Sequence, residues 1–204
     1  MLSWKAMVQH LVAMRTYIAM SAILFFAGMI VGGTNTALHQ YLNSQLQGIS
    51  DIADQIDQSS NPMLSMFLFI FFNNTIKSIF VMYLGAAFGI IPLFFLLVNG
   101  MVLGYLYTSM NEQGVNAALL FVKGILPHGI LEIPAILIAC AYGLKFGALG
   151  FRGLKSLFFG SRKTIGAEYE FFATRTVAVM LLLVITLLAA AVIETTVTPW
   201  LLSM

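Results

Sequence analysis

The chain has 204 residues, 60% of them apolar and only 9% charged, with a net charge of +2 and a mean hydropathy of +0.93. A water-soluble domain carries roughly a quarter charged residues to cover its core, so a soluble globular protein is excluded, and so small a net charge gives nucleic acid no purchase. The apolar runs are long and continuous rather than ten-residue segments of alternating polarity, which selects helices over a β-barrel as the way to pair every backbone amide in lipid.

The expected fold is an all-α integral membrane protein, one membrane domain of about five spans, each needing about 20 apolar residues. The first span, 17–38, follows Lys5 and Arg15. It is longer than the apolar core of a signal peptide and no small-residue cleavage site follows, so it is read as a retained span. Segment 39–61 is polar and holds Asp51, Asp54 and Asp57 but no Lys or Arg. Within it Leu42, Leu46, Ile49, Ala53 and Ile56 recur at helical spacing, which predicts an amphipathic helix.

Spans at 63–84 and 90–109 follow, joined by a tight turn where Gly85, Gly89 and Pro92 permit one. The apolar run 117–146 is too long for one untilted span and contains Gly124, Pro127, Gly129 and Pro134. It predicts a broken helix, a short half-helix and then a span from about His128 to Leu144. Segment 145–175 carries six of the ten basic residues, and the last span is 176–196. The Lys and Arg bias places the N-terminus and the 145–175 segment in the cytoplasm, and the acidic 39–61 segment outside, in a multi-pass protein of the cell membrane.

Four G-x-x-x-G patterns occur, at Gly28/Gly32, Gly85/Gly89, Gly100/Gly104 and Gly143/Gly147. Small residues four apart let helices approach closely, either inside one chain or between subunits of a homo-oligomer such as a dimer. Asn73 and Asn74 sit in an apolar run, and Asn99 precedes Gly100. Amides at such depth serve as interhelical hydrogen-bonding groups or line a polar cavity. The basic residues Arg152, Lys155, Arg162 and Lys163 stand among Leu154, Leu157, Phe158 and Phe159. They contact anionic lipid or dock a cytoplasmic partner.

The most informative stretch runs from Ile125 to Pro134. Pro127 has the character of a first-turn residue, and His128 and Glu132, four apart, project from one helical face. Ionisable groups in a span are costly and face the bundle interior. Three readings stay open: a structural pair, two ligands of a divalent metal such as zinc, and a proton relay or catalytic site. The metal reading needs more ligands. Glu194, near the outer end of the last span, is the candidate. There is no H-E-x-x-H, no G-x-S-x-G and no P-loop, so an enzyme is not expected. The single Cys140 excludes an intrachain disulfide.

With Asn73-Asn74, Asn99-Gly100 followed by Gly104, and Pro127-His128-Gly129 followed by Glu132, the chain resembles the stage II sporulation protein M family of bacterial membrane proteins. The resemblance covers roughly Asn73 to Gly147. It implies a membrane scaffold rather than an enzyme, since the family member of spore formers anchors two peptidoglycan-degrading partners at the engulfing membrane. Cell-wall hydrolases are then the expected partners, with the 39–61 helix facing them. A transporter or channel component, motivated by the broken helix, and an intramembrane metalloenzyme using His128 and Glu132 are the other readings.

Overall fold

The structure is a computed structural model that describes residues 4–86, 88–159 and 162–204, with side chains described except at Trp4, at 157–165 and at Ala167. The contacts expected of Arg162 and Lys163 therefore lie outside the described residues. Helix α1 (Trp4–Ala13) precedes the spans. The rest are α2 (Arg15–Thr34), α3 (His39–Asp57), α4 (Pro62–Leu84), α5 (Ile90–Glu112), α6 (Ala117–Leu120), α7 (Leu126–Phe159) and α8 (Arg162–Leu202). Among the described residues, five helical stretches are long and apolar enough to cross a membrane. The protein is a polytopic all-α membrane protein.

Outward-facing positions of the spans are apolar, as at Ile23, Ile30, Phe94 and Ile185, because lipid rather than water is their solvent. The core lies along α7, which packs on α2, α4, α5 and α8. One cluster joins Tyr142, Phe146 and Leu149 of α7 to Phe172, Val179, Leu183 and Leu187 of α8. A second joins Cys140 and Leu144 of α7 to Phe25, Val81 and Leu96.

The glycines explain how three helices meet so closely. A Cβ added at Gly32 would fall on the carbonyl of Met101, and one at Gly104 on the carbonyl of Met29. Helices α2 and α5 thus touch backbone to backbone, and Thr108 Oγ1 donates to the Gly33 carbonyl at 3.1 Å across the same seam. Gly85 meets Gly143, and Gly147 meets Gly89, in a second seam between the α4–α5 turn and α7. All four G-x-x-x-G faces are occupied inside the chain. The turn itself needs Gly89, whose φ is +73°, a backbone region that side chains disfavour.

Three expectations need correction. The run 117–146 is interrupted, as expected, but at Phe121–Ile125 rather than at Pro127. Residues Phe121–Ile125 form a π-helical turn in which the Leu126 N–H reaches back to the Phe121 carbonyl, and α7 then continues to Phe159. Pro127 stands in the first turn of α7, where a missing N–H is tolerated, and the π turn absorbs the change of register. Second, the helix of the fourth span does not stop at 146 but runs on to Phe159, so the basic 145–175 segment lies on the adjoining ends of α7 and α8. At 34 residues, α7 is about 51 Å long, well beyond a hydrocarbon core of about 30 Å. Third, the first span ends at Thr34, short of Leu38, because Asn35 accepts from the Ala37 N–H and a 3-10 turn, Thr36–Leu38, follows.

The bundle has two unlike ends. Helix α1, the α4–α5 turn and the α7–α8 hairpin share the basic end. There Glu168 accepts from Arg152 at 2.9 Å and lies 3.8 Å from Lys145, while Lys155 is exposed. At the acidic end lie α3, the start of α4, the π turn and the end of α8.

Candidate polar site between the fourth, seventh and eighth helices

Asn61 caps α4 by accepting from the Leu64 N–H, with Pro62 in the first turn, so α4 enters the bundle at the acidic end. Twelve residues on, about 18 Å deeper by helical rise, stand Asn73 and Asn74. Asn73 Nδ2 donates to Asn74 Oδ1 at 3.2 Å, and Asn74 Nδ2 donates to Glu132 Oε1 of α7 at 2.9 Å. One turn earlier on α7, His128 Nδ1 lies 3.4 Å from Thr198 Oγ1 of α8. Glu194, one turn before Thr198, completes the group. One ligand-type atom from each of His128, Glu132 and Glu194 lies within 4.8 Å of the others.

These three side chains are half-buried, and none of them forms an ion pair with a described residue. Both ion pairs among the described residues belong to Glu168, at the other end of the molecule. Two carboxylates side by side at membrane depth repel each other strongly unless a cation or a proton sits between them. Beside them opens a groove of about 540 Å³ between α4 and α8, reached by His128, Glu194, Thr195, Thr198 and Met66. Asp57, the last residue of α3, lines the same groove. Sequence reasoning missed Asp57 and Thr198. For Thr198 a signal existed, since it stands four residues after Glu194 and shares its face. For Asp57 none did, because its place depends on how α3 folds back.

A family description of stage II sporulation protein M matches residues 21–199, nearly the whole chain. The chain belongs to the stage II sporulation protein M family. An uncharacterized protein of Methanocaldococcus jannaschii is 27% identical over 110 residues, 54% of this chain and 47% of that protein. The chain therefore spans about half the length of the curated relative it matches. No solved structure matches.

The residues that carried the resemblance to stage II sporulation protein M separate into two groups. Asn73, Asn74, His128 and Glu132 converge on the polar site. Asn99, Gly100 and Gly104 do not: Asn99 donates to the Phe95 carbonyl of its own helix at 2.7 Å, and the two glycines build the α2–α5 seam. Gly129 is buried, yet a Cβ there would meet nothing closer than 3.7 Å. Pro127 sets the start of α7. Neither touches the site directly.

Proposed function

We propose that this chain is a membrane scaffold that holds an envelope-remodelling enzyme, of the cell-wall hydrolase kind, at the face of the bilayer where α3 lies. The observation that carries this reading is α3 itself. Leu42 is fully buried and Leu46, Ala53 and Ile56 partly so, which docks the helix on the bundle. His39 anchors its start, with its ring 4.8 Å from that of Tyr105. Ile49 and Ile52 remain 56% and 37% exposed, among Asp51, Asp54 and Asp57.

A helix lying in the lipid interface is rich in Lys and Arg, whereas α3 has none. Anionic headgroups repel its acidic face, so its exposed isoleucines suit a protein partner with basic rims. Membership of a family described as a sporulation protein is compatible with a role in the cell envelope.

The test is photo-crosslinking in native membranes from position 49 or 52, with lipid-facing Ile23 as the control site. A cell-wall hydrolase recovered from positions 49 and 52 and not from 23 supports the scaffold. Crosslinks to lipid alone at all three positions reject it.

A further inference from the structure

We infer that His128, Glu132 and Glu194 form a binding site for one divalent transition-metal ion, with zinc the best match, and that its open position faces the α4–α8 groove. The inference is independent of the scaffold reading and stands on the geometry of the site.

The donor set comes from two helices. His128 and Glu132 are one turn apart on α7, and Glu194 faces them from α8, all within 4.8 Å. A tetrahedral ion with bonds of about 2.0–2.1 Å holds its ligand atoms about 3.4 Å apart. The observed set therefore closes on an ion by no more than about 1.4 Å, within the reach of side-chain rotamers. A neutral imidazole and two carboxylates bind a 2+ ion with no net charge left over. That balance matters in a span, where an unpaired charge is costly.

The surroundings are those of a metal site. Ligating side chains are normally fixed by partners in the layer behind them. Asn74 engages one oxygen of Glu132 and leaves the second for an ion, and Asn73 in turn orients the Asn74 amide. Thr198 engages Nδ1 of His128, which leaves Nε2 as the ligand. The imidazole selects against magnesium and calcium, which prefer all-oxygen shells. Three protein ligands leave a fourth position. On the groove side, Asp57 lines the wall with His128 and Glu194, so a water, the Asp57 carboxylate or a partner's group has access to it.

The experiment is metal analysis of the full chain, purified in mild detergent through a tag without histidines. Wild-type protein is expected to carry one zinc-class ion per chain, and Glu194→Gln and Glu132→Gln less than about a tenth of that. Because a variant that fails to fold also loses metal, stripped wild-type protein is then titrated with zinc chloride during thermal unfolding. A rise in Tm for wild type and none for a helical, monodisperse Glu194→Gln supports the site. Two results overturn it: wild-type protein with neither bound metal nor a zinc-dependent Tm, or full metal retention by the double variant Glu132→Gln/Glu194→Gln. Either would leave the two carboxylates sharing a proton instead.

Discussion

The Asn74 amide on α4 donates to the Glu132 carboxylate on α7 at 2.9 Å, across 58 residues of sequence. It is the one described direct side-chain link from α4 into the polar site, and it ties the middle of one span to the acidic end of another. A carboxylate at this depth has few alternatives to a protein donor, because the lipid offers none.

Replacing Asn74 by Leu removes that donor and leaves Glu132 short of a partner. The expected cost is about 1–3 kcal/mol, the penalty for a half-buried polar group left unsatisfied. Adding Glu132→Leu to Asn74→Leu should recover most of it. Unfolding in a denaturing-detergent titration measures all three variants, and strictly additive losses would show that the two side chains do not interact.

Two glycine substitutions should behave oppositely. Gly104→Ala drives a Cβ into the Met29 carbonyl, and backbone cannot step aside as a flexible side chain can. Loss of the folded, monodisperse species is expected. Gly48 of α3 has nothing within 4 Å, so Gly48→Ala should stabilise α3 by about 0.5–1 kcal/mol through reduced chain entropy. Circular dichroism melts of the two variants decide both statements.

His10 of α1 predicts an acid-sensitive docking of that helix. It is 8% exposed, its ring lies 5.4 Å from Tyr142 of α7 and 5.7 Å from Phe172 of α8, and Arg175 and Lys145 are the charges that face it. Burial first, then Arg175, then Lys145, lowers its pKa from the ordinary 6.5. A depressed folded-state pKa means that the unfolded chain binds the proton more readily. The stabilising contribution is therefore complete above pH 6.5 and is lost as pH falls through the lower folded value. Melting temperatures taken from about pH 8 to about pH 5 should fall more steeply for wild type than for His10→Phe. Parallel slopes would remove His10 from the account.

Sidedness can be read with single cysteines. Asp54→Cys should react with a membrane-impermeant maleimide in intact cells, and Lys155→Cys only after permeabilisation, because the Lys- and Arg-rich end is expected inside. The native Cys140 is fully buried and stays silent. The reverse pattern would put α3 in the cytoplasm and end the scaffold reading as well.

The five spans were legible because each is a predominantly apolar run at least as long as a bilayer core is thick. The stripe of α3 was legible for the same kind of reason: Leu42, Leu46, Ala53 and Ile56 turn inward, with Ile49 the exception. The continuity of α7 was not, since proline and glycine announce a break locally, and the π turn that absorbs it shows only in the backbone. Nor did the basic residues reveal that Arg152 has Glu168 for a partner, sixteen residues away on the next helix. Spacing put His128 and Glu132 on one face. That Asn74 reaches Glu132, and that the glycine pairs mate as 28/32 with 100/104 and 85/89 with 143/147, depends on which helices become neighbours, and one sequence does not state that.

The glycine seams also set an order of disassembly. Helix α8 is held on α7 by interlocked hydrocarbon and aromatic side chains, contacts that a detergent tail imitates well. Between α2 and α5 there is no crevice for a tail to enter, because carbonyl oxygens rest where side chains would otherwise begin. Under harsh solubilisation the α2–α5 pair is therefore expected to outlast the α7–α8 pair, so that the half of the molecule surviving longest would carry none of the three ionisable side chains.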